Sequence, residues 1–86
     1  MKKGELNDVT AKGCKTLVKA AYKEQCNVNI KHDEIALYEM TSEQLDENWF
    51  RFWIYACVRG YCVDIVIDAA QIGRKVLTSN AKVTLS

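Results

Sequence analysis

The sequence predicts an α+β domain in which one N-terminal amphipathic helix packs on an antiparallel sheet of three to four strands. Three observations predict it. An apolar stripe with helical period runs through the first 25 residues. A β-favouring segment with alternating faces runs over residues 49–68, broken only by Arg59-Gly60. The length, 86 residues, makes 1–86 a single domain, since it is too short for two ordinary ones.

The helix starts at Asn7 or Asp8, either of which can cap it, and runs to Gln25. At about 100° per residue, Leu6, Val9, Gly13, Cys14, Leu17, Ala20 and Ala21 share one arc, which is the expected buried stripe. Lys12, Lys15, Lys19 and Lys23 line the opposite side. Gly13 weakens a helix by about 1 kcal/mol relative to Ala, so its place on the stripe suggests close approach to the sheet. Cys26-Asn27 ends the pattern, because Asn tolerates the left-handed conformation of a helix exit.

Val28 and Ile30 alternate with Asn27, Asn29 and Lys31, which reads as extended chain. Ile35, Leu37, Tyr38 and Met40 predict a strand over 34–41, either one bent strand or two short ones. Residues 41–48 lack period 2 and are rich in turn formers. They read as a loop, or as one helical turn capped by Thr41 or Ser42.

The hairpin carries most information. Residues 49–58 and 61–67 favour strand, and the two residues between them end in Gly, which accepts positive φ in a tight turn. Such a turn fixes the register, pairing Val58 with Tyr61, Cys57 with Cys62, and so outward to Arg51 with Asp68. Neighbours along a strand point to opposite faces. One face then holds Phe50, Phe52, Ile54, Ala56, Val58, Tyr61, Val63, Ile65, Ile67 and Ala69, and should meet the helix. The other holds Trp49, Arg51, Trp53, Tyr55, Cys57, Cys62, Asp64, Val66 and Asp68. A slip of one residue would exchange the faces and separate Arg51 from Asp68.

The tail is less patterned. Gly73 breaks it, 74–78 and 82–85 are strand candidates, and Ser79-Asn80-Ala81 is a candidate turn between them. One further strand on the sheet is expected, with a fraying end.

Charge is close to balanced at +1 but unevenly placed: residues 1–31 carry +4, 32–50 carry −6 and 51–86 carry +3. Solvated faces are the ordinary reading of such runs. With 49% hydrophobic residues the chain is not of disordered type. No segment approaches the ~20 apolar residues of a membrane span, and no membrane partner is expected. The N-terminus is basic and then polar, unlike a signal peptide. A cytoplasmic location is expected, with a periplasmic or secreted one as the alternative if a leader has been removed.

Cys57 and Cys62 face each other at a non-hydrogen-bonded pair, with Cα atoms about 4.5 Å apart. That is near the short end of disulfide geometry. They can bond in an oxidising compartment and should stay thiols in the cytoplasm. Cys14 reads as a small core filler, and Cys26 has no evident partner. The cysteines are separated by 11, 30 and 4 residues, and there is one His, so no zinc spacing exists and no metal or cofactor is expected.

Catalytic patterns are wanting. His32 lies in a polar stretch and reads as a surface residue rather than a general base. A Cys–His pair would need a cysteine brought beside it, and Glu43, Asp46 and Glu47 lack partners that would raise a carboxyl pKa. There is no Gly-rich phosphate loop. The expectation is therefore a non-catalytic binding module, recognising a protein, a peptide or a second copy of itself. Its site is the aromatic sheet face of Trp49, Arg51, Trp53, Tyr55, Asp64 and Val66, rich in the residue types of interaction hot spots. Single-stranded nucleic acid along Lys12, Lys15, Lys19 and Lys23, with nearby Arg74 and Lys75, ranks lower, because residues 32–50 would repel phosphate. A small thiol-dependent enzyme ranks last. One helix across an antiparallel sheet is similar in architecture to cystatin-type and other small α+β scaffolds. That similarity implies nothing about activity, and the cystatin inhibitor motifs are not visible here.

Overall fold

A computed structural model describes residues 8–72 and 75–86, with side chains described from Lys12 onward. Helix α1 spans Asp8–Cys26, and a single 3-10 turn at His32–Glu34 leads into the sheet. Strands β1 (Ile35–Gln44), β2 (Trp49–Val58), β3 (Tyr61–Ile72) and β4 (Lys75–Leu85) form one antiparallel meander in the order β1-β2-β3-β4. The α+β class, the N-terminal helix and the antiparallel sheet are as the sequence predicts. Leu6, Asn7, Gly73 and Arg74, and the side chains of Asp8 and Val9, lie outside the described residues.

The β2–β3 hairpin has the predicted register throughout, from Val58 opposite Tyr61 to Arg51 opposite Asp68. Its turn holds Arg59 at φ 52° and Gly60 at φ 87°, both left-handed, which is the type I′ geometry that matches strand twist. Arg59 bears this conformation within a web of bonds. Its N–H donates to the Glu34 carbonyl at 3.0 Å, and its Nε donates to Glu34 Oε2 at 2.6 Å. The hairpin tip is thereby tied to the 3-10 turn. Asn27 leaves the helix at φ 55°, as expected of an Asn exit.

The core lies between α1 and the inner sheet face. Val18, Ile54, Val63, Ile65 and Ile67 are its largest fully buried side chains. Each such burial stabilises by about 1.5–3 kcal/mol. The helix contributes Cys14, Leu17, Val18 and Ala21.

Several elements differ from expectation. Gly13 is exposed, and a Cβ there would meet nothing within 4 Å, so it allows no close approach. The helix is turned so that Val18, not Gly13, completes the stripe. Tyr61 sits beside the turn, at the hairpin tip, and is 68% exposed. Phe50 and Phe52 point to the helix side but remain half-buried, because they line an apolar groove of about 560 Å³ that separates them from Gly13, Cys14, Thr16 and Leu17 of α1. Strand β1 continues to Gln44 through residues that lack strand pattern, because Phe50, Phe52 and Arg51 supply backbone partners there. It is one bent strand, with its register shift between Leu37 and Glu39. The β1–β2 connection is held by Asp46, whose Oδ1 accepts from the N–H groups of Asn48 at 2.9 Å and Trp49 at 3.0 Å. The tail forms the one further strand expected, but it runs unbroken through 79–81, where the sequence offers a turn. Asn80, at φ 53°, forms an irregularity within β4 opposite the register shift between Val66 and Asp68.

Candidate functional site

The outer sheet face, turned away from α1, is assembled in rows that cross the strands. One row runs Glu39, Tyr55, Asp64, Thr84; the next runs Thr41, Trp53, Val66, Lys82; the third runs Glu43, Arg51, Asp68, with Ser79 and Asn80 on β4. A fourth joins Trp49, Ala70 and Leu77. All six predicted site residues, Trp49, Arg51, Trp53, Tyr55, Asp64 and Val66, therefore share this face. Trp53 is 39% exposed at its centre.

A further aromatic joins them. The irregularity in β1 sets Tyr38 and Glu39 both on this side, with the Tyr38 ring centroid 5.7 Å from that of Tyr55 and the residue 58% exposed. Alternation from Leu37 turns Tyr38 outward and alternation from Met40 turns it inward, so the sequence alone leaves its face open. The only signal was the clash of two alternation frames around Tyr38.

The third row is a polar ladder across the whole sheet. Arg51 Nε donates to Asp68 Oδ1 at 2.7 Å and its Nη2 donates to Oδ2 at 3.1 Å. Asn80 Nδ2 donates to the same Oδ2 at 3.1 Å. The Arg51 hydrogen bond is the main cause that holds the Asp68 carboxyl below its ordinary range; burial opposes it, and Asn80 and the guanidinium charge assist. In return, the Asp68 hydrogen bond and charge raise the Arg51 pKa, with Glu43 adding to it. Asp68 is the one buried charged residue among those described.

Cys57 and Cys62 form a disulfide, the state the sequence allows for an oxidising compartment, with Cα atoms 4.0 Å apart beside the turn. Cys14 is buried and free, and burial pushes its thiol pKa up; Cys26 is exposed and free. His32 is not the surface residue expected: it is half-buried, and its Nε2 lies out of solvent with no hydrogen-bond partner. Among the described residues, no three His, Cys, Asp or Glu side chains are grouped to hold a metal ion. No described helix is long and apolar enough to cross a membrane.

Lys12 and Lys23 are exposed and Lys15 and Lys19 half-exposed, on the side of α1 away from its buried stripe. The basic stripe and the aromatic face thus lie on opposite sides of the molecule. Comparison with known proteins finds no matching family model, no matching curated protein and no matching solved structure.

Proposed function

We propose that this chain is a small non-catalytic recognition module that binds a protein or peptide surface, or another copy of itself, through the outer face of its sheet. The observation that carries the reading is the gathering of Tyr38, Trp49, Trp53 and Tyr55, around Val66, on a side of the sheet that no other described element covers. Aromatic side chains offer large contact area at low entropy cost, and Arg51 is already held by Asp68, so it adds a fixed edge rather than a group to be ordered.

Other readings have less support. Binding of single strands works by stacking bases beside phosphate-binding cations. Here the lysines of α1 and the aromatics of β2 face away from each other. A thiol nucleophile needs a lowered pKa. Cys14 has a raised one, and Cys57 and Cys62 are bonded to each other. The bridge also favours a working compartment that is oxidising over the reducing cytoplasm.

The test compares wild type with Trp53→Asp by light scattering and by partner capture. Loss of a partner or of self-association on substitution supports the reading. A monomeric wild type, with identical captured partners for both proteins, overturns it.

A further inference from the structure

The outer face has a shape as well as a composition. Its β2 positions are large, Trp49, Arg51, Trp53 and Tyr55, while the β3 residues beside them in the same rows are small, Ala70, Asp68, Val66 and Asp64. Ala70 and Asp68 are already covered, while Val66 is half-buried and Asp64 exposed, so a ridge at Trp53 and Tyr55 runs next to a shallow groove at Val66 and Asp64. The charges are ordered across the same direction: Glu39 and Glu43 stand on β1 at one margin, and Lys82 stands on β4 at the other.

The geometry points to a second copy of this chain as the occupant of the face, related by a two-fold axis that runs along the strands between β2 and β3. This rests on the recognition-face reading above and names its partner. Two sheets can meet face to face about either of two in-plane two-folds. An axis across the strands sets β2 over β2 and β1 over β1, so ridge meets ridge and carboxylate meets carboxylate. An axis along the strands sets β2 over β3 and β1 over β4. Each Trp53 then seats on the partner's Val66 and each Tyr55 on the partner's Asp64. Lys82 comes over the partner's Thr41, between its Glu39 and Glu43. Side-chain size and charge, two separate properties of the sequence, select the same axis. Aligned packing of twisted sheets keeps their mean strand directions within about 30°, which puts the axis within about 15° of the strands. The contact is isologous, so every pairing occurs twice and the assembly closes at two.

Charge reversal with mixing tests this, on the full chain, by sedimentation. Lys82→Glu should weaken self-association tenfold or more, since two attractive contacts become repulsive at once. The double variant Glu39→Lys with Glu43→Lys should do the same. An equimolar mixture of the two should form a heterodimer, because each reversed charge then faces its opposite. Val66→Trp, which a strand position accepts, should fill the groove and block association with charges unchanged. A wild type that stays monomeric up to about 1 mM overturns the inference, as does a mixture that fails to associate. A monomeric wild type that still captures a different protein through Trp53 would overturn the second-copy assignment alone and leave the recognition face standing.

Discussion

Arg51 grips Asp68 across the central strand pair with two hydrogen bonds, Nε to Oδ1 at 2.7 Å and Nη2 to Oδ2 at 3.1 Å. The carboxylate is only 4% exposed although it stands on the face away from the helix, because Arg51 and Asn80 cap it from the solvent side. Removing a buried acceptor breaks its charge-assisted bonds and leaves its donors, here Arg51 and Asn80, unpaired. Asp68→Ala should therefore destabilise by about 1–3 kcal/mol, read from the shift of a urea unfolding midpoint.

The same contact sets a pH dependence. The folded Asp68 carboxyl titrates below its ordinary 3.8, chiefly through the Arg51 hydrogen bond, and Glu34 titrates below its ordinary 4.5, chiefly through the Arg59 hydrogen bond. At acid pH the unfolded chain thus binds protons more readily than the folded one. The stability these groups supply is complete above their ordinary values and is lost as pH falls through the lowered folded values. Urea midpoints measured from about pH 6 down to about pH 2 should fall at the acid end, and less steeply in Asp68→Asn than in wild type. Equal slopes would remove Asp68 from the account.

The cysteines make a separate, countable prediction. A thiol reagent should label Cys26 at once in the folded, unreduced protein, because it is exposed, and Cys14 only on unfolding. Cys57 and Cys62 should appear after reduction. The loop they close is short, with a sequence separation of 5. The chain-entropy relation then gives about 2 kcal/mol for the bridge, so Cys57→Ser with Cys62→Ser should lower stability by that order. Four thiols labelled without reductant would contradict the bridge.

Gly13 offers a gain. It lies in the interior of α1, is exposed, and leaves its Cβ direction empty to 4 Å. Gly13→Ala should stabilise by about 0.5–1 kcal/mol, since only the backbone entropy of the unfolded chain changes. A rise of a few degrees in Tm would be the readout, and a fall would mean that the helix is more closely covered at this position than its open surroundings indicate.

The contrast between legible and illegible parts follows from what each feature depends on. The hairpin could be read because Arg59-Gly60 and the alternation of Phe52, Ile54 and Ala56 are local and point to one register. The six residues of the outer face followed from that register. Tyr38 and Asn80 could not be read, because an irregularity in an edge strand answers to the neighbouring strand, not to its own sequence. Val18 is absent from the sequence-read stripe for a similar reason: the apolar arc on α1 is wide, and the sheet decides which edge of it is covered. The extension of β1 to Gln44 is again a partner's doing, since Ser42, Glu43 and Gln44 have no strand pattern of their own and pair with Phe52, Arg51 and Phe50.

Asn80 separates two contributions that one residue supplies. Its φ of 53° is a left-handed conformation that Asn and Gly accept and that a Cβ without a local hydrogen bond resists. Its Nδ2 also donates to Asp68. Asn80→Gly keeps the backbone and removes the hydrogen bond, so it should lower stability by about 1 kcal/mol. Asn80→Ala removes both and should lower it by about 1–2 kcal/mol more, on the cost of the left-handed region. Combined with Asp68→Ala, the hydrogen-bond part should vanish while the backbone part persists: Asn80→Gly becomes nearly silent and Asn80→Ala does not. Were the two substitutions equally harmful, in either background, Asn80 would be holding β4 by its side chain alone, and its left-handed backbone would be incidental to the strand's course.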